Sequence, residues 1–239
     1  MRRYKIFGLI LAIFIGLFSS AYSQSAEVDN GIIWLNSTQN LAGSWGNTPD
    51  SLATEYLATA AVLGAFKAAG QDVSSTYQNG NLWLQTQPAS NTAYLTSKII
   101  SLAGTGVDVT ADLTTLLSYK NADNGWGGFL NYRSANFHTA LALQTLKAVN
   151  YQDQNIISNA LGYLISTQNA DGGWGFHEGD DSNAYMTAVV LQTLAQFKTT
   201  YNLQAPIDHQ WDFIPSYQTE PGWRIRIGRG KPSPYIHDI

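Results

Sequence analysis

Apolar residues recur three and four positions apart in paired stretches along this chain, and polar, glycine-rich segments separate the members of each pair. In the clearest pair, Ala160, Leu161, Tyr163, Leu164 and Ile165 line one stripe and predict a helix. Gln168-Asn169-Ala170-Asp171-Gly172-Gly173-Trp174-Gly175 follows. Its Asn and Asp side chains can hydrogen-bond their own backbone and its glycines tolerate positive φ, so the helix stops there in a tight turn. Trp174 is then a large ring on a turn, placed to pack back on neighbouring helices. From Asn183 to Phe197 the residues Ala184, Met186, Ala188, Val189, Leu191, Leu194 and Phe197 fall mostly on one face, predicting a second helix with Ser182 or Asn183 as N-cap.

Imperfect copies of this unit precede it. The first runs from Val28 through Trp34-Leu35 to Gln39, turns at Gly43-Ser44-Trp45-Gly46, and continues as an Ala- and Leu-rich helix from Ser51 to Ala69, closed by Gly70. The second has Leu82-Trp83-Leu84-Gln85-Thr86-Gln87, then Pro88-Ala89-Ser90 where the Gly-Trp turn belongs, and a helix from Asn91 to Leu102. The third has Leu116-Leu117-Ser118-Tyr119-Lys120, a turn through Gly125-Trp126-Gly127, and a helix from Asn136 to Val149. Threonines early in each second helix, Thr59, Thr96, Thr139 and Thr187, lie 37, 43 and 48 residues apart. That period belongs to stacked pairs of helices, none of which can bury its stripe without neighbours. The expected fold is all-α, a single domain over residues 25–221.

An aromatic, an aliphatic, three residues and Gln, then Gly-x-Trp after a short gap, resembles the QW repeat of squalene and terpenoid cyclases. Trp34-Leu35 to Gln39 with Trp45, and Tyr163-Leu164 to Gln168 with Trp174, carry the full pattern. Lys120 replaces the glutamine ahead of Trp126, and the second unit lacks the turn. The resemblance, which extends to protein prenyltransferases, implies an incomplete α/α toroid of about four hairpins. It also implies that Gln39, Trp45, Trp126, Gln168 and Trp174 are structural clamps.

Composition changes this picture at the two ends. Met1-Arg2-Arg3-Tyr4-Lys5, the apolar run Ile6 to Phe18 and the small residues Ser19 to Ser23 read as a signal peptide over residues 1–24. Its cleavage would leave a secreted or periplasmic protein with no transmembrane segment. At the other end, Trp211-Asp212-Phe213-Ile214 to Gln218 begins a fifth unit, but Gly222-Trp223-Arg224-Ile225-Arg226-Ile227-Gly228 departs from it abruptly. Codons for that heptapeptide can be chosen that, shifted by one base, read Asp-Gly-Gly-Phe-Gly-Ser-Gly, the missing turn. Residues 222–239 are therefore expected to be an irregular, out-of-frame tail.

Between residues 25 and 221 there are six Lys or Arg against sixteen Asp or Glu, which argues against a nucleic-acid partner. There is no cysteine, so thiolate metal sites, the cysteine-dependent zinc site of protein prenyltransferases and the thioester of macroglobulin-like toroids are all excluded.

Candidate chemistry is sparse. Cyclases of the squalene-hopene type carry their acid in Asp-x-Asp-Asp-Thr-Ala, whereas Tyr185-Met186 precede Thr187-Ala188 and Phe137-His138 precede Thr139-Ala140 here. Asp180 or Asp181 is a displaced general acid or a solvated loop residue; His138 is a base or an ordinary helix histidine. His177 among Glu178, Asp180 and Asp181 matches no metal-ligand spacing, and neither metal nor cofactor is expected. Tyr94, Phe137 and Tyr185 each stand two before the aligned threonine, with Tyr56 one step off; the row lines a ligand cavity or simply packs between helices. The leading expectation is a non-catalytic module that binds an apolar small molecule, a glycan or a protein through its inner helices or glycine-rich rim. The alternatives are a truncated terpenoid-cyclase-like enzyme and a small-molecule carrier resembling the toroidal cobalamin carriers.

Overall fold

The computed structural model describes residues 25–46 and 53–209. The signal segment, the start at Ser51, the unit beginning at Trp211 and the tail at 222–239 lie outside the described residues. Among the described residues every regular element is a helix: α1 (Ala26–Ser37), α2 (Glu55–Ala68), α3 (Ser75–Thr86), α4 (Thr92–Leu102), α5 (Thr110–Ser118), α6 (Asn136–Ala148), α7 (Gln154–Ser166), α8 (Ala184–Phe197) and α9 (Gln204–His209). Side-chain oxygens of Ser25, Thr54, Ser74, Asn91, Asp153 and Asn183 cap six of the starts, satisfying backbone N–H groups that a helix leaves unpaired.

α2, α4, α6 and α8 pack one on the next as an inner row, and α3, α5 and α7 each lie against the inner helix that precedes them. α9 begins a fifth outer helix. No extended contact joins α2 to α8, so the described helices form an incomplete α/α toroid, an arc of four hairpins. One buried core gathers around Leu143, Leu146, Leu161, Trp126 and Trp174, and a smaller one around Trp45, Leu63, Phe66 and Leu84; Ala89 packs against both.

The Gly-Trp turns repeat almost atom for atom. Trp45, Trp126 and Trp174 donate Nε1–H to the carbonyls of Leu35, Leu116 and Leu164, at 2.8, 2.8 and 2.7 Å. Their backbone N–H groups donate to the hydroxyls of Thr59, Thr139 and Thr187, each at 2.9 Å. The threonines that mark the repeat are thus the pins that hold each turn to its inner helix. Gly43, Asn124 and Gly172 occupy the same turn position with φ of 99°, 71° and 84°, where glycine or asparagine costs least.

Gln39 Nε2 donates to Gly43 O at 2.7 Å and to Thr76 O at 2.8 Å; Gln168 Nε2 donates to Gly172 O at 2.9 Å and to Pro206 O at 3.0 Å. Each glutamine ties its own turn to the start of the next outer helix. In the third hairpin Lys120 reaches only Asn121 O and Asn124 Oδ1. In the second, which has no Gly-Trp turn, the tie is made by Lys98 of α4: its Nζ donates to Gln87 O at 3.1 Å and pairs with Asp112 Oδ2 at 3.1 Å in the first turn of α5. Thr96, without a turn to pin, bonds Ala93 O of its own helix instead.

Candidate functional site

The third and fourth turns build a rim over the N-terminal ends of the inner helices. Asp123 Oδ1 accepts from Gly125 N and Ser134 Oγ, and Asp171 Oδ1 accepts from Gly173 N and Ser182 Oγ, so both loops close on an aspartate. Each loop also hooks the neighbouring inner helix. Gly127 O and Gly128 O accept from Thr92 Oγ1 and Thr92 N, while Gly175 O and Phe176 O accept from Asn136 Nδ2 and Asn136 N. α6 has no side-chain cap, and Phe176 O takes up its first N–H. Such close approach requires glycine: a Cβ on Gly175 would lie 2.5 Å from Asp180 O, and one on Gly128 would lie 3.0 Å from His138 Cε1.

Between these loops lies a pocket of about 240 Å³ lined by Asn91, Gly128, Phe129, Tyr132, Arg133, His138, Phe176 and His177. Phe176 meets the His138 ring edge to face, with centroids 5.5 Å apart, and Phe137 stacks at 6.0 Å. Phe129 and Tyr132 pack together at 5.2 Å on the opposite wall, both exposed. Arg133 Nη2 donates to Glu178 O at 2.7 Å, locking one loop to the other. Burial pushes the His138 imidazole down to about 4, with repulsion from His177 adding to it. Its Nδ1 is buried without a hydrogen-bond partner.

His138 and His177 are therefore brought into one pocket, but the acids are not. Asp180 Oδ2 accepts from His177 N at 2.9 Å and lies 3.2 Å from His177 Nδ1, stabilising the loop's own turn. Asp181 is exposed at the loop's outer side. Among the described residues no group of three or more His, Asp or Glu side chains is placed to hold a metal ion.

The aromatic row divides in two. Tyr56 and Tyr94 stack with centroids 4.4 Å apart, and the Tyr56 hydroxyl donates to Tyr94 O at 2.9 Å. Burial raises the Tyr56 phenol above its ordinary value, with Asp112 and Tyr94 contributing less. Phe137 joins Phe176 and the exposed Tyr185 instead. Sequence reasoning missed Phe129, Tyr132, Arg133 and Phe176. The available signal was that the loops after Trp126 and Trp174 carry these side chains, whereas the equally long loop after Trp45 has no aromatic or basic residue.

His138 makes stability depend on pH with a definite sign. Its folded value lies below the ordinary 6.5, so between the two the unfolded chain binds a proton that the folded chain does not, and stability falls as pH drops through that window. A His138→Phe variant is expected to lack this component, on the order of 2 kcal/mol. Urea unfolding of both proteins at a series of pH values measures it; parallel curves between pH 6.5 and 4 would contradict the burial.

A family model described as the A-macroglobulin TED domain, a thioester-containing domain with an α/α toroid, matches residues 105–176. No curated protein matches the chain significantly. Among solved structures, the crystal structure of a protein from Actinoplanes is similar with a TM-score of 0.65 at 17% identity, over 80% of this chain and 64% of that one. The chain thus spans less than two thirds of that protein's length, and the likeness speaks for the fold.

The family model corrects the cyclase resemblance drawn from the QW pattern, since the match is to the TED toroid and not to squalene or terpenoid cyclases. The physical reason lies in the clamps. The glutamines and turn tryptophans of the pattern are used for helix ties and turns, so the pattern reports toroid construction and not chemistry. The chain has no cysteine for a thioester either.

Proposed function

We infer that this chain is an exported helical toroid module that binds a ligand at its glycine-rich rim without transforming it. The observation that carries this reading is the pocket built jointly by two successive rim loops, with Phe129, Tyr132 and Phe176 presented around His138. The loops are held by buried clamps and by the Arg133 to Glu178 bond, so the rings are positioned before any ligand arrives. A concave, largely apolar site with a few polar groups is the usual form of a ligand site. Export rests on the signal-like segment; among the described residues no helix is long and apolar enough to cross a membrane.

Glycan and peptide arrays probed with the whole protein test the reading. Phe176→Ala is expected to weaken any array hit at least about tenfold, roughly 1.4 kcal/mol, while circular dichroism stays helical. Hits that ignore Phe176 and Tyr132 but disappear in Tyr94→Ala would move the site to the inner helices and overturn it.

A further inference from the structure

We propose that the rim pocket takes a small carboxylate carried on an aromatic or compact aliphatic body; this rests on the rim-binding reading above. Charge is the first ground. Between residues 25 and 221 acidic side chains outnumber basic ones sixteen to six, yet the pocket lining contains Arg133 and two histidines and no carboxylate. Arg133 gives one bond to Glu178 O, and a guanidinium has further N–H groups to offer an anion in a fixed fork. The rings of Phe129, Tyr132 and Phe176 in the lining suit an apolar body, and about 240 Å³ admits a single ring rather than a larger ligand.

The second ground is the buried His138 Nδ1. Of the buried side-chain polar atoms described, only this one and Asn81 Oδ1 have no partner. Buried polar atoms are rarely left so; this one is covered at the pocket wall, and a small turn of the His138 ring, which lines the pocket, would present its N–H to a ligand atom. A carboxylate oxygen there accepts from the ring N–H. The charged groups around His138 are His177 and Arg133, with Asp180 behind His177. Burial chiefly, with repulsion from His177 second to it, keeps His138 neutral; an anion between these groups offsets both, so binding draws a proton onto His138.

Benzoate and benzyl alcohol share a ring and differ in charge, which makes them the probes. Calorimetry on the whole protein at pH ~5.5, between the folded and ordinary values of His138, is expected to show benzoate binding at least about tenfold more tightly. In two buffers of different ionisation enthalpy it should show net proton uptake, and the His138 ring resonances should move to the imidazolium form. His138→Phe should abolish the preference and the uptake while still binding benzyl alcohol. N-acetyl-phenylalanine against its amide distinguishes sources: a gain over benzoate that the amide loses marks a peptide C-terminus, and no gain marks a free carboxylate.

Equal affinities for benzoate and benzyl alcohol, both lost in Phe176→Ala, would overturn the carboxylate assignment and leave the rim site standing. Absence of binding by either probe would also overturn the assignment, and the rim reading would then stand or fall by the array hits.

Discussion

Replacing Trp126 with alanine is expected to destabilise the protein by about 3–5 kcal/mol, the range for deleting a fully buried tryptophan. The ring is completely buried in the larger core. Its removal leaves a cavity and takes away the indole N–H that Leu116 O, a helix-end carbonyl, accepts at 2.8 Å. The backbone of the same residue bridges to Lys120 and Ala135, so loss of packing loosens the loop that carries Phe129 and Tyr132. Trp34 is the internal control. It is 63% exposed on α1, and its alanine variant should change stability by no more than about 0.5 kcal/mol. Urea unfolding followed by far-ultraviolet circular dichroism compares the two. Similar losses at Trp34 and Trp126 would mean that the turns do not hold the fold.

An equally large contrast is expected between two alanines at one repeat position. Ala140 on α6 and Ala188 on α8 each follow the aligned threonine, yet Ala140 is fully buried and Ala188 is exposed. α8 packs along α6 and covers its face, while the same face of α8 is uncovered among the described residues. Gln144 of α6 even reaches across to Thr193 Oγ1 at 2.8 Å, whereas its counterpart Gln192 is exposed. Ala140→Arg forces a cation into a packed helix contact and should cost about 3–5 kcal/mol. Ala188→Arg should stay within about 0.5 kcal/mol, since arginine and alanine differ little in helix propensity. Urea midpoints decide it. A large loss at Ala188 would mean that another element covers α8 in solution.

The architecture was legible because helical periodicity recurred in every unit and turn chemistry agreed with it in all but the second. Asn183 caps α8, Asn91 caps α4, and the helix predicted from Asn136 to Val149 ends one residue short of that. The four threonines were visible as a register, but their task was not. A hydroxyl that pins a turn thirteen residues before it leaves no periodic mark, and Thr96 looks identical in sequence although it has nothing to pin. Lys98 was invisible for a similar reason. On a helical wheel it is one cation on an apolar helix, and only the three-dimensional neighbourhood of Gln87 and Asp112 gives it a role.

The site was legible in part. His138 was weighed as a base against an ordinary helix histidine, its isolation on an Ala- and Leu-rich helix favouring the latter, and it is among the residues that line the pocket. The acidic loop drew attention to Asp180 and Asp181, while the residues lining the pocket were the aromatic ones beside them. Side chains brought together from two loops forty-odd residues apart share no spacing that a sequence displays. The tyrosine and phenylalanine row left a cavity lining and packing between helices both open, and the rings form two separate groups, Tyr56 with Tyr94 and Phe137 with Phe176 and Tyr185.

The Lys98 tie also bears on how such a chain can change over generations. Gln39 and Gln168 ask their neighbours only for a backbone carbonyl, which any residue supplies, so the facing positions can drift freely. Lys98 and Asp112 ask for each other's charge. Substituting either one alone leaves the other charge unpaired, so the hairpin without a Gly-Trp turn is the one whose tie is most sensitive to a single change.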